Sequence, residues 1–496
     1  MSNTQLNAIT FGTSGFRGVR GDSFFPEHVQ AIAHAVADYL IDNALAPHIC
    51  VGADPRFGHS FTLEDGSFTA ILCNTLVQRG ISVDFFNKPT PTPLISWHIV
   101  DKQLSGGLIL TASHNPAEYN GIKFNPANGA PAPTHITDYL ETAANKHLNS
   151  KAANDSEQAG KLVLLNRDAD YAEHLCSIIR SIFADSVSLQ TLRVIADCKH
   201  GTSADIWQLV LDKLTCSDYK LLHTQARADF AALETNPTSV KTFEQAKTDI
   251  KAFQADVYIA NDPDADRHMI FDETGQPLSP ELCSLIIAQF LLATNQPLHS
   301  ICSTVASSRQ LSEFCQQHAL KYHETAVGFK YFSPYLTEAK RDKHLSLAVE
   351  SSGGFSISSH TMEKCGFLPG LLIASISAQC KQPISQLKSA LLSSLRPAVF
   401  TEAAATFDAS KKASIQAQLN NSSIEQLAPF FELTIRQLNA SDGLKIIFDT
   451  SDWVLIRFSG TEPLARLYCE SDSEALSLAL SKQAQDLLAS FSDSAE

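Results

Sequence analysis

The hydrophobic and polar positions along the chain switch repeatedly between the period of a helix and that of a buried strand. In PEHVQAIAHAVADYLIDN the apolar residues recur on one helical face. The next segment, HICVGADPR, has the pattern of a buried strand that ends in a turn. A helix is then predicted from about Leu63 to Arg79, followed by a strand at ISVDFF. Strands that alternate with helices predict a parallel sheet covered on both faces.

The same alternation continues along the chain and changes near residue 395. A polar, aperiodic segment, NSKAANDSEQAG, is the predicted boundary after the first domain. Strands are predicted at RVIADC and VYIA in a second unit, and a third unit starts near Gly275. Beyond Leu395 the hairpin-like strands LKIIFDTSD and WVLIRFSG precede a closing helix, which predicts a smaller α+β domain. The predicted domains are residues 1–150, 160–274, 275–394 and 395–496.

Composition narrows the possible partners and compartments. The 496 residues carry a formal net charge of -15, so a nucleic-acid backbone or an anionic membrane would be repelled, and neither is expected as a partner. The 11 cysteines are scattered without a CxxC pair or zinc-like spacing, as is typical of a reducing compartment. The N-terminus shows no targeting pattern, and no apolar run is long enough to span a bilayer. A cytoplasmic protein is therefore expected.

The most informative segment is NDPDADR, in which Asp262, Asp264 and Asp266 alternate after a predicted strand. Pro263 keeps the three carboxylates out of a helix, so they meet in one turn and repel one another. A hard divalent cation resolves that repulsion, and Mg²⁺ is the usual occupant of such an oxygen site. One alternative is an EF-hand loop, but its sixth position would be Arg267 where glycine is required. The other alternative is a solvated acidic turn. Arg267 argues against it, because it resembles a built-in counterion for the carboxylates.

A second candidate is Ser113 in GGLILTASHNPAEYNGIKF. The apolar run before it predicts a buried strand, and the carboxyl ends of strands are where open α/β sheets bind ligands. A Ser-His hydrolase is the first alternative, but adjacent side chains diverge, so His114 is a poor base for its own neighbour, and GxSxG is absent here. The other alternative is an ordinary turn serine.

Three further loops combine glycine with polar or charged side chains. RFSGTEP provides a guanidinium, hydroxyls and exposed backbone N–H groups suited to a phosphate dianion, or else is a plain hairpin turn. VESSGG places Glu350 two residues before Ser352, a pair that could bind vicinal sugar hydroxyls or cap a turn. FGTSGFRG is a flexible basic loop that contains Arg17.

Together these loops resemble, in order, the phosphoserine, metal, sugar and phosphate loops of the α-D-phosphohexomutases, most closely the phosphoglucomutase/phosphomannomutase type. FGTSGFRG and ADPR are similar to that family's N-terminal motifs, and the resemblance spans about Phe11 to Tyr468. It implies three similar α/β domains, each with a mixed sheet covered by helices, and a smaller C-terminal α+β domain, all around a central cleft. It also implies a hexose phosphate substrate.

The resemblance implies roles for individual residues. Ser113 would carry a phosphoryl group and ligate Mg²⁺ together with the three aspartates, and Lys123 is the first choice for acid-base work. His114 would orient or contact phosphate, and Lys364 and Lys330 are further acid-base candidates. Arg17 belongs to the implied catalytic loops. The implied substrate-binding residues are Arg267, Gly328, Lys330, Glu350, Ser352, Arg457, Ser459, Gly460, Thr461 and Arg466.

The implied reaction moves a phosphoryl group between O1 and O6 of a hexose through a hexose 1,6-bisphosphate. HETAVGFKYF and SSGG favour glucose, with mannose possible. Ser351 and Cys365 depart from the family, which often has glutamate and usually has aspartate at these places. The alternatives are a phosphoglucosamine mutase, a glucose-1,6-bisphosphate synthase and a non-catalytic sugar-phosphate binding protein. A monomer or weak dimer is expected.

Overall fold

Residues 6–12, 15–149, 156, 158–183, 187–458 and 464–494 are described by a computed structural model. Their contacts divide the chain into two compact units. The first unit consists of Met1–His299 and Gly328–Lys388, and the second of Ser300–Val327 and Ser389–Glu496. All the sheets and helices below lie within the described residues.

The first domain is built on a six-stranded mixed sheet. Its strand order is β1-β5-β4-β2-β3-β6, in which β1, β5 and β4 pair antiparallel and the other neighbours pair parallel. Helices α1 and α4 pack together with the sheet around one large apolar core. The bounds are β1 Phe16–Val19, α1 Pro26–Asp42, β2 His48–Ala53, α2 Phe68–Gln78, β3 Ser82–Phe86, α3 Thr92–Asp101, β4 Gly106–Leu110, β5 Tyr119–Pro126, α4 Thr134–Asn149 and β6 Leu162–Leu165.

The second domain contains a five-stranded mixed sheet in the order β11-β10-β9-β7-β8. Its central strands β7 and β9 are parallel, and β9 returns as the antiparallel hairpin strand β10. The bounds are α5 Asp168–Phe183, β7 Arg193–Asp197, α6 Ala204–Lys213, β8 Asp218–Leu222, α7 Val240–Phe253, β9 Val257–Asn261, β10 His268–Asp272 and β11 Pro277–Leu278.

The third domain also mixes parallel and antiparallel pairing. The strands β12 and β13 form a parallel pair, and β14 and β15 form an antiparallel pair. The bounds are α8 Pro280–Ala293, β12 Leu298–Thr304, α9 Arg309–Gln317, β13 Lys321–Thr325, α10 Ser333–Arg341, β14 Leu345–Val349, β15 Phe355–Ile357, α11 Leu368–Cys380 and α12 Ile384–Leu392.

The C-terminal domain is a fully antiparallel five-stranded sheet in the order β16-β20-β19-β18-β17. Helix α15 covers one face, and its leucines join the domain's own apolar core, as the predicted closing helix requires. The bounds are β16 Val399–Thr406, α13 Lys412–Asn420, α14 Ile424–Leu427, β17 Ile435–Asn439, β18 Leu444–Phe448, β19 Trp453–Phe458, β20 Leu464–Ser471 and α15 Glu474–Ser494. The predicted four-domain α/β and α+β architecture is confirmed.

The predicted start of the second helix was wrong by five residues. Instead of continuing back to Leu63, α2 begins at Phe68, because Ser67 acts as the N-cap and its side chain accepts a hydrogen bond from the Ala70 amide. Gly66 just before it has a φ of 80°, which is incompatible with a helix. The apolar residues before Gly66 therefore belong to a turn.

No helix in the part of the chain that the structure describes combines the length and apolarity that a bilayer crossing needs.

The strand ahead of Ser113 is buried inside the first domain along its whole length. Its Gly107 faces close neighbours, because a Cβ built there would lie 2.7 Å from Cys50 Sγ and 2.8 Å from Ile99 Cδ1.

Gly107→Ala should lower the free energy of unfolding of the first domain by about 1–3 kcal/mol, since an added methyl overpacks this strand. Calorimetric unfolding of the variant measures the change. Gly12→Ala is the matched control, because a Cβ there meets only Gly15 O at 3.7 Å. Equal unfolding profiles for the two variants would contradict the tight packing described for this strand.

Candidate functional site

The acidic turn closes the β9–β10 hairpin. Both flanking segments are strands, and all three aspartate side chains are buried. The EF-hand alternative is thereby wrong, since that loop needs flanking helices. Glu273, its would-be last ligand, instead accepts hydrogen bonds from the backbone and hydroxyl of Ser385. The solvated-turn alternative is also wrong, because the turn is inaccessible to bulk water.

The turn has the donor set of a hard-cation site. One oxygen from each of Asp262, Asp264 and Asp266 lies within 4.8 Å of the others. Two buried oxygens, Asp264 Oδ1 and Asp266 Oδ1, accept no hydrogen bond from any described residue. Each carboxylate pair at this spacing repels by roughly 3–4 kcal/mol at an effective dielectric constant of about 20. These orphaned oxygens therefore fit Mg²⁺, which prefers carboxylate ligands.

Ser113 meets this turn from the first domain. Its Oγ donates to Asp262 Oδ2 over 2.8 Å, and the residue is only 1% exposed. Ser113 has a φ of 53°, in the left-handed region that a non-glycine residue adopts at a cost of about 1–2 kcal/mol. Its own amide donates to Thr111 Oγ1. The hydroxyl is thus aimed by a strained backbone at a carboxylate 149 positions away in the sequence.

A buried arginine holds the serine loop in this shape. Arg56, from the ADPR segment, donates to the carbonyl oxygens of Ser113, Asn115, Pro116 and Tyr119. Its Nε also lies 2.9 Å from Asp54 Oδ2. Because one rigid guanidinium satisfies four carbonyls, the loop cannot move without exposing several unpaired acceptors.

A segment of the second domain holds the loop from the other side. Thr235 Oγ1 donates to the carbonyl of His114, and the Phe230 ring lies under the Arg56 guanidinium at 4.9 Å. Phe230, Ala231 and Ala232 all have φ between 47° and 56°, so three consecutive non-glycine residues are left-handed. The packing of Phe230 and the threonine bond hold this strained turn in place.

Two lysines converge on the acidic turn. Lys123 Nζ lies 2.7 Å from Asp264 Oδ2 and 3.0 Å from Asp266 Oδ2, and Lys364 Nζ lies 3.2 Å from that same Asp266 oxygen. Burial opposes the charge of Lys123, but Asp264 and Asp266 together raise its pKa above the ordinary value. For Asp266, burial is likewise overcome by Lys123, Lys364 and Arg267, which lower its pKa.

Asp262 has the opposite electrostatic environment. Burial, followed by the charges of Asp264 and Asp266, raises its pKa well above the ordinary value. The lysine contacts are with the other two carboxylates: Lys123 contacts both Asp264 and Asp266, and Lys364 contacts Asp266. The acidic turn therefore has a cation-paired side and a side that faces Ser113.

Two arginines and a histidine complete the surroundings. Arg17 donates to Asn115 Oδ1, and burial followed by the nearby Arg267 lowers its pKa. Burial and the two arginines also lower the pKa of His114 to about 3, so its imidazole is neutral at pH 7. His114 Nδ1 lies 3.5 Å from Ser113 Oγ, a long contact for a proton acceptor.

The predicted sugar loop packs against the acidic turn. Gly354 forms an antiparallel bridge with Arg267, and the Gly353 carbonyl accepts from the His268 amide. Gly353 requires glycine, because its φ is 98° and a Cβ would lie 2.6 Å from the His268 carbonyl. Glu350 is buried at the start of this loop, and Ser352 is partly exposed.

Lys330 contacts different groups from those around the aspartates. It follows Gly328, whose φ is 137°, and its ammonium donates to Thr134 Oγ1. The same ammonium lies over the ring of Tyr331. The two predicted residues Gly328 and Lys330 thus belong to a neighbouring segment of the first unit, and their proposed part in substrate binding stays a prediction.

The predicted phosphate loop belongs to the second unit. Arg457 is the penultimate residue of β19, and its Nη2 lies 2.9 Å from Asp442 Oδ2, while Arg466 on β20 is 3.2 Å from Glu402 Oε1. Arg457 and Arg466 are directly cross-strand partners. These two arginines therefore precede and follow the predicted loop in the sequence. Ser459, Gly460 and Thr461 lie outside the described residues.

Several residues that build the site were not singled out as site residues from the sequence. Thr92 donates to Asp264 Oδ2 over 2.8 Å, and Glu363 accepts from Asn125 over 2.9 Å. The proline-rich segment PTPTPL could have pointed to Thr92, and the ADPR motif could have pointed to Arg56. Thr235 carried no sequence signal that would distinguish it from other loop threonines.

Comparison with known families gives matches over most of the chain. The phosphoglucomutase/phosphomannomutase alpha/beta/alpha domain models I, II and III match residues 8–151, 169–275 and 280–395, and the C-terminal domain model matches 405–486. A phosphoglucomutase of Komagataeibacter xylinus is 27% identical, over 97% of this chain and 91% of its own. A phosphoglucomutase/phosphomannomutase of Thermococcus kodakarensis is 25% identical over 94% and 95%, and an Escherichia coli phosphoglucosamine mutase is 26% identical over 95% and 96%.

Solved structures share the fold. A putative phosphomannomutase from Thermus thermophilus has a TM-score of 0.77 at 22% identity, covering 98% of this chain and 100% of its own. A phosphoglucomutase/phosphomannomutase family protein from Burkholderia thailandensis has a TM-score of 0.79 at 19% identity, covering 98% of each chain. An Aspergillus fumigatus N-acetylphosphoglucosamine mutase with GlcNAc-6P and magnesium has a TM-score of 0.60 at 15% identity, covering 99% and 96%.

Asp264→Asn should weaken Mg²⁺ binding more than about tenfold, because even partners that only support a ligand change metal affinity by that factor. Titration calorimetry with Mg²⁺ measures the affinity. Glu273→Gln is the control and should bind Mg²⁺ as the unaltered protein does, since Glu273 contacts Ser385 rather than the aspartates. Weaker binding by the control alone would contradict the hairpin site.

Arg56→Lys should lower the catalytic turnover number by about 10- to 100-fold, because a single ammonium cannot satisfy four carbonyls and the serine would be misplaced. Steady-state kinetics provide the measurement. Arg79→Lys serves as control, since Arg79 pairs with the partly exposed Asp38. Unchanged turnover in the Arg56 variant would show that the clamp does not set the position of Ser113.

Proposed function

The chain belongs to the phosphoglucomutase/phosphomannomutase family, and we propose that it interconverts hexose 1-phosphate and hexose 6-phosphate. Glucose is the favoured sugar, and mannose is the next. The observation that carries the proposal is the 2.8 Å contact of Ser113 Oγ with Asp262, inside a buried aspartate cluster flanked by Lys123 and Lys364. A nucleophile, a metal site and paired cations are the parts that phosphoryl transfer needs.

Ser113 is the proposed phosphoryl carrier. A sugar hydroxyl attacks the phosphorus of phospho-Ser113, the bond to Ser113 Oγ breaks, and the sugar becomes a 1,6-bisphosphate. The other phosphate of that bisphosphate then returns to Ser113, and the isomeric monophosphate leaves. Mg²⁺, held by the three aspartates and Ser113, would neutralise the phosphoryl charge and polarise the phosphorus. The Aspergillus neighbour, solved with magnesium, supports this choice of ion.

The chain's own side chains divide the remaining work. Lys123, whose raised pKa keeps it protonated, donates a proton to the departing oxygen, and the amine so formed takes up the proton of the attacking hydroxyl. Lys364 is the second group placed to do so. Arg17 and Arg267 supply positive charge close to Ser113 and the aspartates. Neutral His114 orients the loop. Burial of Ser113 limits loss of its phosphoryl group to water.

The second unit is proposed to hold the phosphate that does not react. Arg457, Arg466 and the loop residues Ser459, Gly460 and Thr461 suit a dianion, and Glu350 with Ser352 suits the sugar hydroxyls. Ser351 is exposed at the sugar loop, and Cys365 is buried with its Sγ 3.5 Å from the Tyr171 hydroxyl. Where the family usually has an aspartate, this chain thus has a buried thiol beside a tyrosine hydroxyl.

Ser113→Ala should reduce turnover of glucose 1-phosphate, in Mg²⁺ with trace glucose 1,6-bisphosphate, to below about one-thousandth, because the phosphoryl carrier is removed. Radiolabelled bisphosphate should label the unaltered protein and leave the variant unlabelled. Full activity in the variant would disprove the phosphoserine route. Tight hexose phosphate binding without turnover in the unaltered protein would instead support the binding-protein alternative.

The same assay separates the candidate sugars and the synthase alternative. Glucose, mannose and glucosamine 1-phosphates are compared at equal concentration, and glucose is expected to give the highest kcat/KM. The phosphoglucosamine mutase relative makes glucosamine the informative competitor. Labelling of Ser113 by an acyl phosphate, with net formation of bisphosphate, would favour the synthase.

A further inference from the structure

Glu363 is a buried carboxylate whose two oxygens are both engaged. It lies in the segment between β15 and α11 and is 2% exposed. Oε1 accepts from the backbone amide of Lys364 over 2.9 Å, and Oε2 accepts from Asn125 Nδ2 over 2.9 Å. A buried carboxylate is costly unless both its oxygens and its charge are compensated, so its presence here needs a reason.

The Asn125 end of this link leads directly to Lys123. Both residues are on β5, two positions apart, so their side chains extend from the same face of the strand. Asn125 is itself fixed, because its amide also donates to the carbonyl of Gly129. Glu363 therefore ties the segment that carries Lys364 to the strand that carries Lys123.

The lysines need such a link because their charges repel. Both ammoniums approach one oxygen, Asp266 Oδ2, at 3.0 and 3.2 Å. Two cations that share one acceptor are stable in a buried site only when further negative charge lies near. Asp264 supplies part of it at Lys123, and Glu363 is a further carboxylate near both lysines: burial raises its pKa, while Lys364 and then Lys123 oppose that rise.

Four side chains of this group also line one small cavity. Lys123, Asn125, Glu363 and Lys364 face a space of ≈ 20 Å³, which Phe11 and Gly15 also line. That volume suits about one water molecule. The lysines are therefore confined by packing as well as by charge, with little room to swing away from Asp266.

We infer that Glu363 is a positioning residue for phosphoryl transfer, which holds Lys123 and Lys364 side by side on Asp266 through its bonds to Asn125 and to the Lys364 backbone. The inference rests on the proposed function, since it assigns the two lysines to proton transfer. Glu363 itself acts only through them.

Glu363→Gln tests the inference with an isosteric side chain. Both partners of the carboxylate are N–H donors, so the Gln amide group must oppose one of them, and the negative charge is lost. Turnover should fall by about 10- to 100-fold, while KM and the Mg²⁺ affinity stay within about threefold. Glu363→Asp keeps the charge and both acceptors, and should recover part of the lost turnover.

Glu273→Gln is the matched control. Glu273 is also a carboxylate with two donor partners, both on Ser385. Its replacement therefore removes a similar pair of hydrogen bonds, but at a place away from the aspartates. It should keep its turnover number. If Glu363→Gln does not fold, Asn125→Ala removes one of the two tethers and should lower turnover in the same direction.

The outcomes separate the two levels of the argument. Normal turnover in Glu363→Gln, or in Asn125→Ala where that variant is used, overturns the inference and leaves the proposed function intact. A loss that resides in KM or in Mg²⁺ affinity also overturns it, because the carboxylate would then support binding. An unaltered protein without any hexose phosphate turnover contradicts the proposed function and the inference together.

Discussion

Three carboxylates in one buried turn repel one another, and the surrounding chain is arranged to offset that repulsion. Lys123 and Lys364 pair with Asp264 and Asp266, Thr92 donates to Asp264, and Asp262 is left to meet Ser113. Two orphaned oxygens remain for a cation. The turn thus explains why cations from the first and third domains converge on a hairpin of the second.

That convergence requires the serine loop to be rigid. Ser113 has a left-handed backbone, and the adjacent turn at Phe230 contains three more left-handed residues. Strain of this kind persists only where neighbouring bonds outweigh it. Arg56 and Thr235 provide those bonds, the first through four carbonyls and the second through one. The hydrogen bonds of Arg56 and Thr235 therefore hold the Ser113 hydroxyl against the Asp262 carboxylate.

Hydrogen bonds more distant from Ser113 position the two lysines in a similar way. Glu363, a buried carboxylate, is bonded to Asn125 and to the Lys364 backbone, and so links the segments that carry the two lysines. The site is thus an alternation of charge, from aspartates to lysines to Glu363. Such an arrangement brings buried groups of opposite sign together without bulk water.

Local patterns in the sequence determined most of the elements and the carboxylate cluster of the acidic turn. Period and turn residues predicted the strand before Ser113, the hairpin of the three aspartates and the four-domain order, because these depend on neighbouring residues. The start of α2 was missed, since a glycine and a serine cap outweighed the apolar pattern. The contacts of Arg56, Thr235 and Glu363 were decided only by the tertiary structure. Each joins side chains far apart in the sequence, and no local period records which distant carbonyl or amide a buried group will meet.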